Sequence, residues 1–423
     1  MKKVLFFTYN FPPMGGGGVQ RSLKFVKYLP NFGWEPIVFS ADDRTYWAHD
    51  ETLGRDIPKN VVVKRLRSPR FLQVYFLLEK LLSKETARNI WDGVFVPDDR
   101  IIWAVYAALS AIKIIKKEKI GLIYSSSPPH SVHIGARIVK RMTGLQWVCD
   151  FRDLWTGDFR HDPRSPRAKR LHEKMEKGIL GEADRVLRIT DAVREYFISD
   201  YGIKSEKLVT IYNGFDMDDF GDNSKGEKRT DDKIIITHSG SFYGEYFPET
   251  FFSALSLTLK KHPNLKERIE VRFVGVMDPK IKEAIGRYLG VKAVFWGYLS
   301  HKDAIKVVQR SDMNLISLPM IDEVYNIVTG KIFEYLAAKR PILAVVPDGE
   351  VSNLIRSARA GVVISDDDPK KLSDKLYRAI IELKDKKDFS PDMEVINRFK
   401  RESLTEKLAT VFDEVTAGRG EVA

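Results

Sequence analysis

The sequence predicts an α/β chain of two domains in tandem, each built on a parallel β-sheet. Short apolar segments (VLFF, EPIVFS, NVVVKRL, GLIYSS, QWVCDF, RVLRIT and LVTIYN) alternate with helical stretches over the first half. A second series of the same kind (KIIITHSG, EVRFVGV, KAVFWGY, MNLISL, RPILAVV and AGVVIS) fills the second half. Between the two, GDNSKGEKRTDDK has nothing to bury and reads as a linker. Alternation of strand and helix implies crossover helices and parallel pairing. In such sheets ligands bind beyond the carboxyl ends of the strands. The domains are read as residues 1–215 and 216–399, their strand ends facing each other across a cleft.

Taken in order, the first element poses a question. In VLFFTYNFPPMGGGGVQRSLKFVKYL the run Val4 to Phe7 is β-rich, and Pro12 and Pro13 end it. From Val19 onward, Val19, Leu23, Val26 and Leu29 recur at helical spacing. Gly15, Gly16, Gly17 and Gly18 therefore sit at a strand-to-helix turn. They serve either a tight turn or a cradle for an anion at the helix N-terminus. A dinucleotide fingerprint is excluded, since the last glycine position falls on Gln20 or Arg21, and no GKS or GKT makes a P-loop.

Further along, RLRSPRFLQVYFLLEKLLSKETAR mixes Phe71, Leu72, Tyr75, Phe76, Leu78 and Leu82 with Arg65, Arg67, Arg70, Lys80 and Arg88. It reads either as an interfacial helix or as a core helix with solvated charges. In the second half, VYNIVTGKIFEYLAAKRPILAVVPDGE predicts a helix over Lys331 to Ala338. Thr329, Gly330 and Lys331 stand at its start, where N–H groups and an ammonium suit a diphosphate. Glu334 lies one turn in, placed either for a ribose diol or for a surface pair with Lys331. The last helix, around RESLTEKLATVFDEV, puts Leu404, Leu408, Val411 and Phe412 on one face.

Composition narrows the function. With 423 residues, 43% hydrophobic, the chain is an ordinary globular one. A single cysteine, Cys149, excludes a disulfide framework and a multi-thiolate metal site, and the histidines form no HExxH cluster. A cytosolic compartment follows as the simplest expectation, with no secretory signal. The longest apolar segment, Ile101 to Ile112, is short of the roughly 18 residues that span a bilayer. A net charge of +11 asks for an anionic partner: nucleotide, nucleic acid or lipid headgroup. No zinc finger or RNP-like run favours nucleic acid.

Across nearly its whole length the chain resembles nucleotide-sugar-dependent glycosyltransferases of the GT-B fold, similar to the retaining family 4. The segments that carry this are YNFPPMGGGGVQRSLKFVKYLPNFGWEPIVFS, VPDDRIIW, YSSSPPHSVHIGA, CDFRDLWTGDF, TIYNGFD, HSGSFYG, FWGYLS and GKIFEYLAAKRPILAVV, in family order. The resemblance implies two Rossmann-like domains, with the C-terminal helix (400–423) packing back on the first. It implies that Gly15 to Gly18 let donor and acceptor approach and that Lys331 and its helix end hold the diphosphate. Glu334 would bind the ribose; Gly297, Tyr298 and Leu299 would contact the base; Gly240, in HSGSFYG, would lie on the donor.

Two departures from the family stand out. The family's first acidic residue corresponds to Asn326, an amide. The segment HSGSFYGEYFPETF lacks the usual Arg and Lys, which leaves Lys331 or Arg21 to supply the charge. On the acceptor side, CDFRDLW offers Asp150 or Asp153 to orient or deprotonate a hydroxyl, Arg152 to meet a phosphate, and Trp155. The same cluster equally reads as buried salt bridges fixing a loop. His130 and His133 are rival acceptor-side groups or structural histidines.

The expected reaction moves a sugar from a UDP- or GDP-sugar to an acceptor hydroxyl, with retention. No metal and no cofactor beyond the sugar nucleotide are expected. A saccharide or lipid-linked acceptor of cell-envelope synthesis, met at the inner face of a membrane, fits the basic and aromatic surface. A silent sugar-nucleotide-binding subunit and a sugar-nucleotide epimerase are the alternatives.

Overall fold

The computed structural model describes residues 1–42, 49–69, 71–157, 166–221, 232–242, 247–321, 328–385 and 389–417. The stretch read as a linker falls almost wholly outside them, as does Asn326. The chain forms two compact units. The first comprises Met1–Tyr212 with the C-terminal helix Arg401–Ala417; the second is Asn213–Lys400.

In the first unit seven parallel strands line up as β3-β2-β1-β4-β5-β6-β7. They are β1 (Lys2–Thr8), β2 (Trp34–Ala41), β3 (Val62–Leu66), β4 (Ile120–Ser127), β5 (Gln146–Phe151), β6 (Arg185–Arg188) and β7 (Leu208–Thr210). Both faces are covered, so the strands read as continuous apolar runs rather than alternating ones. Along β1, Leu5 and Phe7 enter one core and Val4 and Phe6 the other. The second core is closed by the helices Gly17–Tyr28 and Arg401–Ala417, with Leu23, Val26, Leu404, Leu408 and Phe412 buried. Trp34 meets Phe412 edge-on at 5.2 Å. The basic-aromatic stretch after β3 forms two helices, Leu72–Leu81 and Lys84–Val94, rather than one. Ser83 separates them and caps the second by accepting from the Thr86 N–H at 3.2 Å.

The second unit repeats the design with six parallel strands in the order β10-β9-β8-β11-β12-β13. These are β8 (Ile234–Ser239), β9 (Ile269–Val274), β10 (Ala293–Gly297), β11 (Met313–Ser317), β12 (Ile342–Val345) and β13 (Gly361–Ile364). In each sheet the strand order reverses direction beside the first strand, between β1 and β4 and between β8 and β11. That switch point opens a crevice beyond the strands' carboxyl ends. Among the described residues no helix is long and apolar enough to cross a membrane.

Candidate functional site

In the second unit the crevice is floored by glycine. Gly240, Gly275 and Gly297 lie at the carboxyl ends of β8, β9 and β10, all with positive φ (123°, 135° and 69°). They are stitched together: the Gly240 N–H donates to Val274 O at 2.7 Å, and the Gly275 N–H to Gly297 O at 2.8 Å. A Cβ on Gly275 would come within 2.9 Å of the Gly240 carbonyl, and one on Gly240 within 2.8 Å of Lys331 Nζ. Gly240 and Gly275 are thus required by backbone conformation and by close approach together, Gly297 by its φ alone.

Lys331 opens the helix Lys331–Ala338 and reaches back to the end of β8. Its ammonium donates to His238 Nε2 at 3.1 Å. The other ring nitrogen, Nδ1, lies 3.1 Å from Leu315 O and so must carry the proton, which turns the Nε2 lone pair to Lys331. Burial, then the lysine, drives the imidazole's pKa well below its ordinary value and keeps it neutral. Burial also brings Lys331 down to about 8, against a pull upward from Glu334. A neutral ligand positions this cation without cancelling its charge.

Around it, the Ser239 N–H donates to Tyr335 Oη at 2.7 Å, and Tyr335 is fully buried. Gly330 caps the helix with no side-chain hydrogen bond, and a Cβ there would meet nothing within 4 Å. Thr329 Oγ1 is buried with no hydrogen-bond partner among the described residues. Glu334 is partly exposed one turn in, its Oε1 3.8 Å from His301 Nδ1. His301 Nε2 in turn lies 3.3 Å from Asp219. Tyr298 is exposed and Leu299 half-buried just past β10.

The first unit carries a second constellation at its own switch point. Gly16, with φ 93°, caps the helix Gly17–Tyr28, which has neither a side-chain cap nor an acid in its first turn. Gly15 is buried, while Gly17 and Gly18 are exposed, with open space where a Gly17 Cβ would stand. Behind this turn Arg152 donates to three carbonyls: Ser127 O at 2.7 Å, Pro128 O at 3.0 Å, and Gly18 O. It therefore ties the glycine turn to the end of β4 instead of reaching out to a phosphate. Burial lowers its pKa, with half-buried Asp153 beside it pulling the other way.

Arg21 and Asp150 correct the roles expected of them. Arg21 grips Asp150 with Nε and Nη2, both at 2.9 Å, and donates from Nη1 to Tyr212 O at 2.8 Å. Asp150 also accepts from Tyr124 Oη at 2.7 Å and Ser126 Oγ at 3.0 Å. Neither side chain is more than 1% exposed. Burial pushes the Asp150 carboxyl up, but Arg21, Tyr124 and Arg152 together hold it below the ordinary carboxylate value. Arg21 has no free face for a diphosphate and Asp150 none for an acceptor proton; they are the buried ion pair that locks the turn.

His133 is likewise turned inward. Its Nδ1 faces Ser125 Oγ at 2.9 Å and Cys149 Sγ at 3.3 Å, and burial lowers its pKa to about 3. A group that buried and that weakly basic does not meet an acceptor. His130 stands at the start of the helix Ser131–Thr143, its ring stacked on Trp155 at 5.1 Å. Trp155 is buried and donates to His172 Nδ1 at 2.9 Å. Sequence reasoning missed His238, Tyr335 and His301. The signal for His238 was its place in HSGSFYG, two residues ahead of Gly240 at the end of a strand.

Two family models cover most of the chain. Residues 16–214 match the glycosyl transferase 4-like domain, and residues 238–382 match glycosyl transferases group 1. The chain belongs to the GT-B glycosyltransferases similar to family 4. A glycosyltransferase from Rickettsia africae shares the fold, with TM-score 0.67 at 16% identity over 98% of both chains. HepE from Anabaena, in complex with UDP and glucose, does so with TM-score 0.65 at 13% identity, covering 98% of this chain and 100% of HepE. Among curated relatives, the D-inositol 3-phosphate glycosyltransferase of Geodermatophilus obscurus is 23% identical over 221 residues, 49% of this chain and 47% of the relative. The chain spans about half the length of the curated relatives it matches. The glycine-floored end of the second sheet and Lys331 both fall within the residues that match glycosyl transferases group 1.

Proposed function

We propose that this glycosyltransferase moves a sugar from a nucleotide-diphosphate sugar to an acceptor hydroxyl, with retention at the anomeric carbon and without a metal ion. The observation that carries this reading is the Lys331 ammonium, held on neutral His238 over Gly240. Departure of the leaving group builds negative charge on the diphosphate. An ammonium hydrogen-bonded, among the described residues, to an imidazole rather than a carboxylate stabilises that charge from the positive end of a helix. Glu334, one turn further in, is placed for a ribose diol. HepE, a structural neighbour, holds UDP and glucose, which supports a sugar-nucleotide donor. The acceptor we assign is saccharide or lipid-linked, met on the inner face of a membrane during cell-envelope polysaccharide or glycolipid synthesis.

Turnover of UDP- and GDP-sugars by the Lys331→Ala variant tests the role. Activity should fall by about two to three orders of magnitude, the melting temperature should hold or rise, and NMR of the product should show a retained anomer. Wild-type turnover in the variant overturns it. Asn326, an amide where the family has a carboxylate, favours one second reading, a silent sugar-nucleotide-binding subunit. That reading predicts UDP binding with no donor consumed under any acceptor.

A further inference from the structure

Two helical faces of the first unit carry large apolar side chains in the open. On the helix Leu72–Leu81, Val74, Phe76, Leu77 and Leu81 are exposed, Leu77 by 56% and Leu81 by 71%, and the charged residue among them is Lys80. The other side of this helix is spoken for: Tyr75 packs edge-on against Trp91 of the helix Lys84–Val94 at 5.2 Å. That second helix adds exposed Ile90 and Val94, and its Asp92 is answered by Arg88 at 3.9 Å.

The helix Ile101–Glu118 repeats the pattern more sharply. Trp103, Ala104, Ala107, Ala108 and Ala111 turn to the core. The opposite stripe is Ile102, Val105, Tyr106 and Leu109, with Tyr106 50% and Leu109 48% exposed. The same stripe continues as Lys113, Lys116 and Lys117, all exposed. These positions follow the i, i+3, i+4, i+7 spacing of one helix face, so the apolar turns and the lysine turns lie in line.

A helix face that shows Leu, Val, Ile and Tyr to water, with lysines on its exposed turns and the acids Glu79 and Glu118 half-buried, has the composition of an element lying in a membrane interface. Single exposed apolar residues need no explanation, whereas grouped ones mark an interaction surface. Charge decides the occupant. A second copy of this chain would set its lysines against their own images, in a protein already carrying +11. An anionic bilayer meets both features, burying the apolar turns and neutralising the lysines.

We propose that the exposed faces of Leu72–Leu81 and Ile101–Glu118 are the membrane-docking surface, and that their partner is a bilayer containing anionic phospholipid. The proposal deepens the lipid-linked acceptor reading and rests on it for its purpose, but its test does not need that acceptor. The full chain is sedimented with vesicles of phosphatidylcholine alone or mixed with phosphatidylglycerol. Binding should require phosphatidylglycerol and weaken as salt rises. Leu77→Glu with Leu109→Glu should lower partitioning roughly a hundredfold. Lys113→Gln, Lys116→Gln and Lys117→Gln together should do so by a similar factor. Because these positions are exposed, the melting temperature should stay within a degree or two, roughly. Equal sedimentation by the variants, or none by the wild type, overturns the proposal. So does a dimer in light scattering that Leu109→Glu breaks. UDP and GDP titrations on the same preparations read the donor site separately, so either half fails alone.

Discussion

Lys331 Nζ sits 3.1 Å from His238 Nε2, a cation resting on a neutral imidazole rather than on a carboxylate. The chain reaches across 93 residues to make this contact, joining the start of a helix to the end of β8. A carboxylate in the histidine's place would neutralise the ammonium. The imidazole fixes its position and leaves its charge for a ligand.

Donor binding should depend on pH with a sign that follows from this contact. Burial lowers Lys331 to about 8, so at neutral pH most of the protein carries the ammonium. Above that value an anion must bring a proton with it. The Kd for UDP should therefore be flat near neutrality and rise up to roughly tenfold per pH unit above 8. Isothermal titration checks this, and in Lys331→Met the rise should vanish.

Gly240→Ala should be costly twice over. Its φ of 123° is a region alanine rarely adopts, and the new Cβ would press on Lys331 Nζ at 2.8 Å. We expect a loss of about 1–3 kcal/mol in stability by denaturant melting and at least roughly tenfold weaker donor binding.

The Arg21–Asp150 pair should behave as buried ion pairs do. Asp150→Asn or Arg21→Met alone strands a charge in the core and should cost about 3–5 kcal/mol. The double variant should lose less than the sum, which a double-mutant cycle in urea measures directly.

Glu176 gives stability a pH dependence of the same sign as donor binding, in a lower window. It is fully buried, accepting from the Thr156 N–H at 3.1 Å and Tyr201 Oη at 2.9 Å, and burial raises its pKa from near 4.5 to about 7. Between those values the native protein keeps a proton that the unfolded chain has released. Its contribution is therefore fully present below pH 4.5 and lost as pH rises through about 7. The loss is on the order of 3 kcal/mol. Glu176→Gln should flatten that part of the stability–pH curve and raise the melting temperature at pH values above it.

Much of the fold was legible because parallel strands buried on both faces announce themselves as apolar runs, as Val4 to Phe7 and Ile342 to Val345 do. The glycine turn was legible too, since Gly16 needs a positive φ whatever its neighbours. Side-chain direction was not. Arg21 stands beside the glycine run in sequence, yet helical phase turns it inward to an aspartate 129 positions away. His133 lies one turn from His130 and points to the core, where Cys149 and Ser125 wait on neighbouring strands. His238 looks like one more strand residue until β8 is placed under the helix of Lys331. Each of these depends on a pairing across the fold that local spacing does not encode.

The most direct test of the account is calorimetric titration of UDP and GDP into wild type and Lys331→Met at neutral pH. The account predicts that the preferred nucleotide binds the wild type and binds the variant roughly ten- to a hundredfold more weakly, with the variant's melting temperature equal or higher. A variant that binds as tightly as the wild type would contradict it.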